Sequence, residues 1–207
     1  MIKNTFKKNI FSFFLLIFIS IYSVNAQNAN EVLIYADEIF YDKDNNLIGK
    51  GKAKILFENQ IINSDLIIYN KNSKKIIIPK NFKYKDEQNN LFYGTEGSFD
   101  TNFTNGFIKD VKILLNDGSR IVGNKFQREE NIDIISKGVY SPCSSRIKIG
   151  NFICPTWQLE GEKILHDNNS LLLYQKHSKM RVFNIPVFYL PYLVAPSPLR
   201  KKRKSGF

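Results

Sequence analysis

Histidine, methionine and cysteine occur only twice each, and tryptophan once, in 207 residues. So few soft ligands leave little for a metal centre. Cys143 and Cys154 stand without the Cys-x2-Cys knuckle spacing, and His166 and His177 do not complete a zinc set. Catalytic signatures are absent as well: the chain has no G-x-S-x-G, no H-E-x-x-H and no P-loop. Asp37-Glu38 and Glu129-Glu130 are adjacent pairs, which a strand points to opposite faces, so they read as solvated charges. A β-helical polysaccharide lyase, the one enzyme class worth weighing, needs acidic and basic residues clustered on one face, and none cluster. The expectation is a non-enzyme with no cofactor. Basic residues are scarce in the body of the chain. The formal net charge is +11, but Lys3, Lys7, Lys8, Arg200, Lys201, Lys202, Arg203 and Lys204 lie at the termini. Without those eight, 22 Lys and Arg face 19 Asp and Glu, a body of +3. That excludes the basic face a nucleic-acid partner requires.

Beyond Tyr22 no apolar run approaches the ~20 residues of a membrane-spanning helix. The one long run, Ile10 to Tyr22, follows Lys3, Lys7 and Lys8 and precedes Val24-Asn25-Ala26, with small residues at −3 and −1 of a cleavage site. Residues 1–26 therefore read as a signal peptide, the alternative being an uncleaved anchor. Export to an oxidising compartment favours a disulfide between Cys143 and Cys154, the alternative being two free thiols.

Helical periodicity is missing throughout; alternation and β-branched residues take its place. Val32–Tyr41, Leu47–Phe57, Ile61–Tyr69 and Lys75–Pro79 read as strands, with Asp42-Lys43-Asp44-Asn45-Asn46, Glu58-Asn59-Gln60 and Asn70-Lys71-Asn72-Ser73 as turns. The chain is expected to be all-β. It also repeats. Ala36-Asp37-Glu38-Ile39-Phe40-Tyr41-Asp42 aligns with Ser64-Asp65-Leu66-Ile67-Ile68-Tyr69-Asn70 at a spacing of 28 residues, with weaker copies at Gly94 to Asp100 and from Gly123 to Gln127. One such unit cannot bury its own apolar face, but stacked units can, as a long curved sheet or folded-over jelly roll. Shared parity places Ile39, Tyr41, Ala53, Ile55, Phe57, Ile67 and Tyr69 inside, either as a packed core or as a groove lining.

The repeat, with its A/S-D-x-I-x-Y-D/N motif and the strand Gly51 to Phe57, resembles the OstA-like domain of lipopolysaccharide-transport proteins. The second half resembles the end of the periplasmic part of the LptD family. The residues that carry this are Gly138-Val139-Tyr140-Ser141-Pro142-Cys143, Cys154-Pro155-Thr156-Trp157-Gln158-Leu159, Ile164-Leu165-His166-Asp167, Asn184-Ile185-Pro186-Val187-Phe188-Tyr189-Leu190-Pro191-Tyr192 and Arg203-Lys204-Ser205-Gly206-Phe207. The resemblance implies an elongated OstA-like jelly roll over residues 27–165. Residues 166–207 would be its end and an extended junction to an outer-membrane barrel, of which the chain would hold only the first residues, as a fragment.

The same resemblance implies a periplasmic part of an outer-membrane lipopolysaccharide-assembly protein. It would take lipid A acyl chains along the stripe named above and pair edge to edge with an LptA-like bridge; an LptE-like lipoprotein would enter only with the barrel. The alternatives are a complete LptA-like bridge or a non-enzymatic structural β-repeat protein. Exposing one twelve-carbon chain to water costs on the order of 10 kcal/mol, which is why such a carrier needs an apolar interior. Four prolines, Pro186, Pro191, Pro196 and Pro198, predict an extended but irregular segment over Ile185–Pro198. Phe188, Tyr189 and Tyr192 suit a membrane–water interface, and Arg203 and Lys204 within the basic run suit lipid phosphates or open solvent.

Overall fold

The computed structural model describes residues 32–142, 146–149 and 152–197, and every regular element among them is a β-strand. In chain order these are β1 (Leu33–Tyr35), β2 (Glu38–Tyr41), β3 (Leu47–Phe57), β4 (Gln60–Asn70), β5 (Lys75–Ile78), β6 (Phe82–Lys85), β7 (Leu91–Gly94) and β8 (Glu96–Asp100). They continue as β9 (Asn105–Leu114), β10 (Arg120–Glu129), β11 (Ile132–Ser141), β12 (Arg146–Ile149), β13 (Phe152–Pro155), β14 (Trp157–Asp167), β15 (Leu172–Val182) and β16 (Ile185–Pro196). Fourteen of them form one antiparallel sheet, and β12 and β13 make a separate ribbon.

The sheet is folded over on itself, and the sequence repeat marks the crease. Strand β4 pairs through Ile61–Ser64 with β6 but through Ile68–Asn70 with β5, and β9 divides likewise between β8 and β7. Burial parity switches at the same level in strand after strand. Ile62 and Ser64 are inward, and so is Ile67; Ile108 is inward, and so are Val111 and Ile113; Ile135 is inward, and so is Gly138. An odd step between inward residues requires an irregular residue between them. In alternate strands it adopts a left-handed backbone: Lys52 (φ 44°), Asp110 (49°), Lys137 (49°) and His177 (52°). The flanking register sets Asp110, Asn124, Lys137, Glu162, His177 and Pro191 level across six strands, and each is exposed. These residues are the outer ridge of the crease.

The inside of the crease holds small residues: Ala53, Ser64, Gly94, Gly123, Gly138, Gly161 and Ser178. Little else fits where the walls converge. A Cβ on Gly94 would stand 2.2 Å from Ile108 Cγ2, and one on Gly123 2.4 Å from Ile135 Cγ2. The repeat motif is therefore a corner: a small inward residue (Ala36, Ser64, Gly94, Gly123), a polar outward one (Asp37, Asp65, Thr95, Asn124), then a wall strand.

The motif's last position closes each wall at the open rim. Asp42 accepts the Asn46 amide at 2.8 Å, Asn70 that of Ser73 at 2.8 Å, and Asp100 that of Thr104 at 2.8 Å. Short polar side chains that bond their own turn are what such positions select for.

Two expectations need correcting. Val32–Tyr41 is not one strand but two, β1 and β2, broken at the corner residues Ala36-Asp37. Ile185–Pro196 is not irregular: β16 pairs with β15 along its length, with one register shift next to Met180/Arg181. Proline is tolerated there because β16 is the edge of the sheet, where half of the backbone N–H groups need no partner within it.

Candidate functional site

The interior between the two walls is the candidate site. Toward the N-terminal strands it is zipped by aromatic rings from opposite walls. Tyr84 on β6 lies 5.5 Å from Phe99 on β8 and 5.7 Å from Phe103, Phe57 on β3 lies 5.7 Å from Phe103, and Phe92 on β7 lies 5.4 Å from Phe126 on β10. Such pairs add about 0.5–1.5 kcal/mol each to the burial itself. Burial raises the Tyr84 phenol above its usual value, and its hydroxyl donates to Gln60 Oε1.

Beyond Phe126 the filling turns aliphatic, with Ile121, Ile135 and Ile164, and a small cavity opens. It holds about 60 Å³, lined by Phe92, Ile113, Leu115, Ile121, Ile135, Tyr140, Ile164 and Leu173 below a polar mouth. That is room for a few waters, far short of an acyl chain. Admission of a long apolar ligand therefore requires the walls to part. Above the mouth, between the two rows of turns, lies an open polar slot of about 670 Å³, lined by Gln60, Glu87, Gln88, Asn102, Asn116 and Glu130 among others. Asp86, Gln88, Arg128 and Asn168 border both spaces.

The mouth is built by the β10–β11 hairpin. Arg128 and Asp133 are register partners on its inward face. Arg128 Nε meets Asp133 Oδ1 at 2.7 Å and Nη2 meets Oδ2 at 3.1 Å; Asn168 Nδ2 donates to Oδ2 at 3.1 Å, and His166 Nδ1 stands 3.9 Å from the same oxygen. Burial works to raise the Asp133 carboxyl, but the His166 ring and the Arg128 guanidinium overcome it and hold it at about 2. Burial likewise opposes the Arg128 charge, and the Asp133 carboxylate more than restores it. Asp86 on the facing wall is raised by burial, against the hydrogen bonds it accepts from Asn90.

The stripe read from the sequence is placed unevenly. Ala53 and Ile55 are fully buried, Ile67 is 1% and Phe57 4% exposed, and Tyr69 packs partly buried against them. Ile39 and Tyr41 are not inside as expected. They lie on the edge strand β2 at 48% and 56% exposure, because no further strand covers them. Tyr189 and Tyr192 are exposed on β16. Arg203, Lys204, Cys143 and the Cys154 side chain lie outside the described residues. Sequence reasoning missed Arg128, Asp133 and His166. The available signal was parity: Arg128 is two residues from inward Phe126, and Asp133 two from inward Ile135. Among the described residues no three His, Cys, Asp or Glu side chains gather as a metal site.

No family model matches the sequence. Among curated proteins it is similar to the LPS-assembly protein LptD of Escherichia coli K12, of Escherichia coli O1:K1 and of Shigella flexneri serotype 5b, each 28% identical over 130 residues. Each match takes in 61% of this chain and 15% of the relative. Among solved structures it aligns with LptH, the LptA-homologous periplasmic component of the lipopolysaccharide transport device of Pseudomonas aeruginosa. That alignment has a TM-score of 0.29 and 13% identity, and covers 82% of this chain and 96% of that one. The chain is thus an antiparallel all-β protein similar in sequence to a short stretch, about 15%, of LPS-assembly proteins.

Proposed function

We propose that this chain carries lipopolysaccharide through the bacterial envelope, holding lipid A acyl chains between the walls of the folded sheet while the sugars stay wet at the rim. The observation that carries the reading is the continuous apolar interior: Ile55, Ile62, Ile67, Ile76, Ile108 and Ile164 are at most 2% exposed, and they line both walls from β3 to β14. The 130-residue similarity to LPS-assembly proteins names the ligand class. Enclosing even half of a twelve-carbon chain removes roughly 5 kcal/mol of exposed hydrocarbon. That gain opposes the cost of parting aliphatic contacts beside the cavity near Ile121 and Leu173. The role is one of binding and transfer and calls for no catalytic group.

Within this reading the chain belongs to the periplasmic side of an LptD-like assembly protein, with edge-strand pairing to an LptA-like bridge and a Cys143–Cys154 disulfide or a longer-range one. The sequence similarity to LptD supports the first part. A barrel-coding continuation beyond codon 207 would support it further, and a stop codon there with no such continuation would favour the bridge. Binding is tested with the purified chain and radiolabelled lipopolysaccharide. Saturable capture, competed by lipid A but not by the delipidated sugar, is expected; capture competed only by the sugar would refute an acyl-binding interior.

A further inference from the structure

His166 Nε2 is a buried ring nitrogen with no hydrogen-bond partner among the described residues. The side chain is 14% exposed and lines the cavity beneath the mouth. Sheet register accounts for its orientation. His166 on β14 stands between Asp133 on β11 and Leu173 on β15, in an inward row that runs Arg128, Asp133, His166, Leu173. Nδ1 turns toward the Asp133 carboxylate, 3.9 Å from Oδ2. Nε2, on the far side of the ring, is left to a cavity whose other lining includes Phe92, Ile121, Ile164 and Leu173.

In a neutral imidazole one nitrogen carries the proton and the other is an acceptor. A carboxylate beside Nδ1 favours the proton there, which makes Nε2 a bare acceptor. Hydrocarbon cannot satisfy it, and an acceptor buried unpaired costs free energy that a donated hydrogen bond returns. The matching ligand is apolar enough to enter between the walls and carries one O–H group. The row also sets where that group must be. Arg128, two strands from His166, borders both the cavity and the polar slot above it. The O–H therefore lies within a few carbons of the ligand's polar head.

We propose that His166 Nε2 accepts a hydrogen bond from a hydroxyl on the acyl chain, close to its head, and so makes the interior select hydroxylated over plain acyl chains. This rests on the acyl-carrying reading above and adds to it the residue and the functional group that choose the ligand.

The test measures binding of three probes to the purified chain: tetradecanoic acid, 3-hydroxytetradecanoic acid and 3-methoxytetradecanoic acid, which keeps the oxygen but has no proton to donate. The hydroxy acid should bind roughly five- to tenfold more tightly than either of the others, the worth of one hydrogen bond. His166→Phe and His166→Leu should bring that ratio to about one while still binding the plain acid. Ile135→Val, which alters the cavity wall alone, should change the affinity for all three probes by the same factor. In the unaltered chain, the ¹⁵N signal of His166 Nε2 should be that of a bare nitrogen and should move when the hydroxy acid is added but not when the plain acid is. Equal binding of the three probes would overturn the proposal and leave Nε2 a nitrogen that holds solvent only. A methoxy acid bound as tightly as the hydroxy acid would overturn it too, as would an unchanged ratio in both His166 variants or an Nε2 signal indifferent to the hydroxy acid. Binding of none of the three would overturn it together with the acyl-carrying reading, whereas the other failures leave that reading standing.

Discussion

Arg128 and Asp133 face each other across the β10–β11 hairpin in a two-point ion pair of 2.7 and 3.1 Å, on the inward face of the sheet at the mouth of its apolar core. Their side chains are 17% and 9% exposed. A pair so placed is costly to break and gains little over an apolar replacement. Asp133→Ala alone should lower unfolding stability by about 3–5 kcal/mol, because Arg128 is left buried and unpaired. Arg128→Met with Asp133→Leu should come within about 1 kcal/mol of wild type. Urea denaturation of the three proteins reads this directly; equal losses in the single and double variants would show that the pair is needed as a pair.

The same carboxylate sets the acid limb of stability. Asp133 titrates at about 2 when folded, below its ordinary 3.8. Its contribution is therefore complete above pH ~4 and disappears as pH falls through that window, a loss of about 2 kcal/mol. Asp100, lowered by Thr104 and Asn105 against its own burial, acts in the same direction. Asp86 is raised, so its effect is opposite: present below pH ~4 and lost as pH rises. Asp133→Asn should flatten most of the acid limb, whereas Asp86→Asn should leave that limb in place. Unfolding curves between about pH 2 and pH 6 decide it.

Lys137 holds a left-handed backbone at the crease, φ 49°, for which a non-glycine residue costs about 1 kcal/mol. Lys137→Gly should be neutral or stabilising by up to ~1 kcal/mol, even though glycine ordinarily weakens a strand. Lys125→Gly, in a regular stretch of β10, should cost about 1 kcal/mol. A matched loss at both positions in thermal unfolding would mean that the ridge is not a conformational requirement.

On the inside of the same crease, Gly94→Ala sets a methyl 2.2 Å from Ile108 Cγ2 and 2.9 Å from the Phe82 ring. Overpacking inside the crease, where continuous strands join the two walls, should cost about 1–3 kcal/mol. Asn124→Ala, exposed on the ridge, should stay within about 0.5 kcal/mol of wild type.

The strands and their turns were legible because alternation and turn-forming Asp and Asn are local signals. Leu47–Phe57 came out to the residue, and Ala53, Ile55 and Phe57 face inward as their parity required. The 28-residue repeat was legible too, but not its meaning. Parity alone cannot reveal that Ala36-Asp37 and Ser64-Asp65 are corners, because a change of parity such as that between Ser64 and Ile67 reads equally as a bulge or as the start of a new strand. Ile39 and Tyr41 have inward parity yet stand exposed, since parity says nothing about whether another strand covers an edge. Arg128 and Asp133 were hidden by their type. Charged residues read as outward until the hairpin register sets them opposite each other. Proline misled at Ile185–Pro196 because its exclusion from sheets holds for interior strands and not for an edge.

The central claim is that acyl chains enter between the walls. Its most direct measurement is photo-crosslinking in living cells that carry the full protein, with the reactive residue placed at inward Phe57, Ile67, Ile121 and Tyr140 or at outward Lys52, Asn63 and Lys112. Lipopolysaccharide adducts are predicted at the inward set and only weakly at the outward set. Equal labelling of both sets, or labelling of neither in cells that still export lipopolysaccharide through this protein, would contradict the account and leave the interior a packed core.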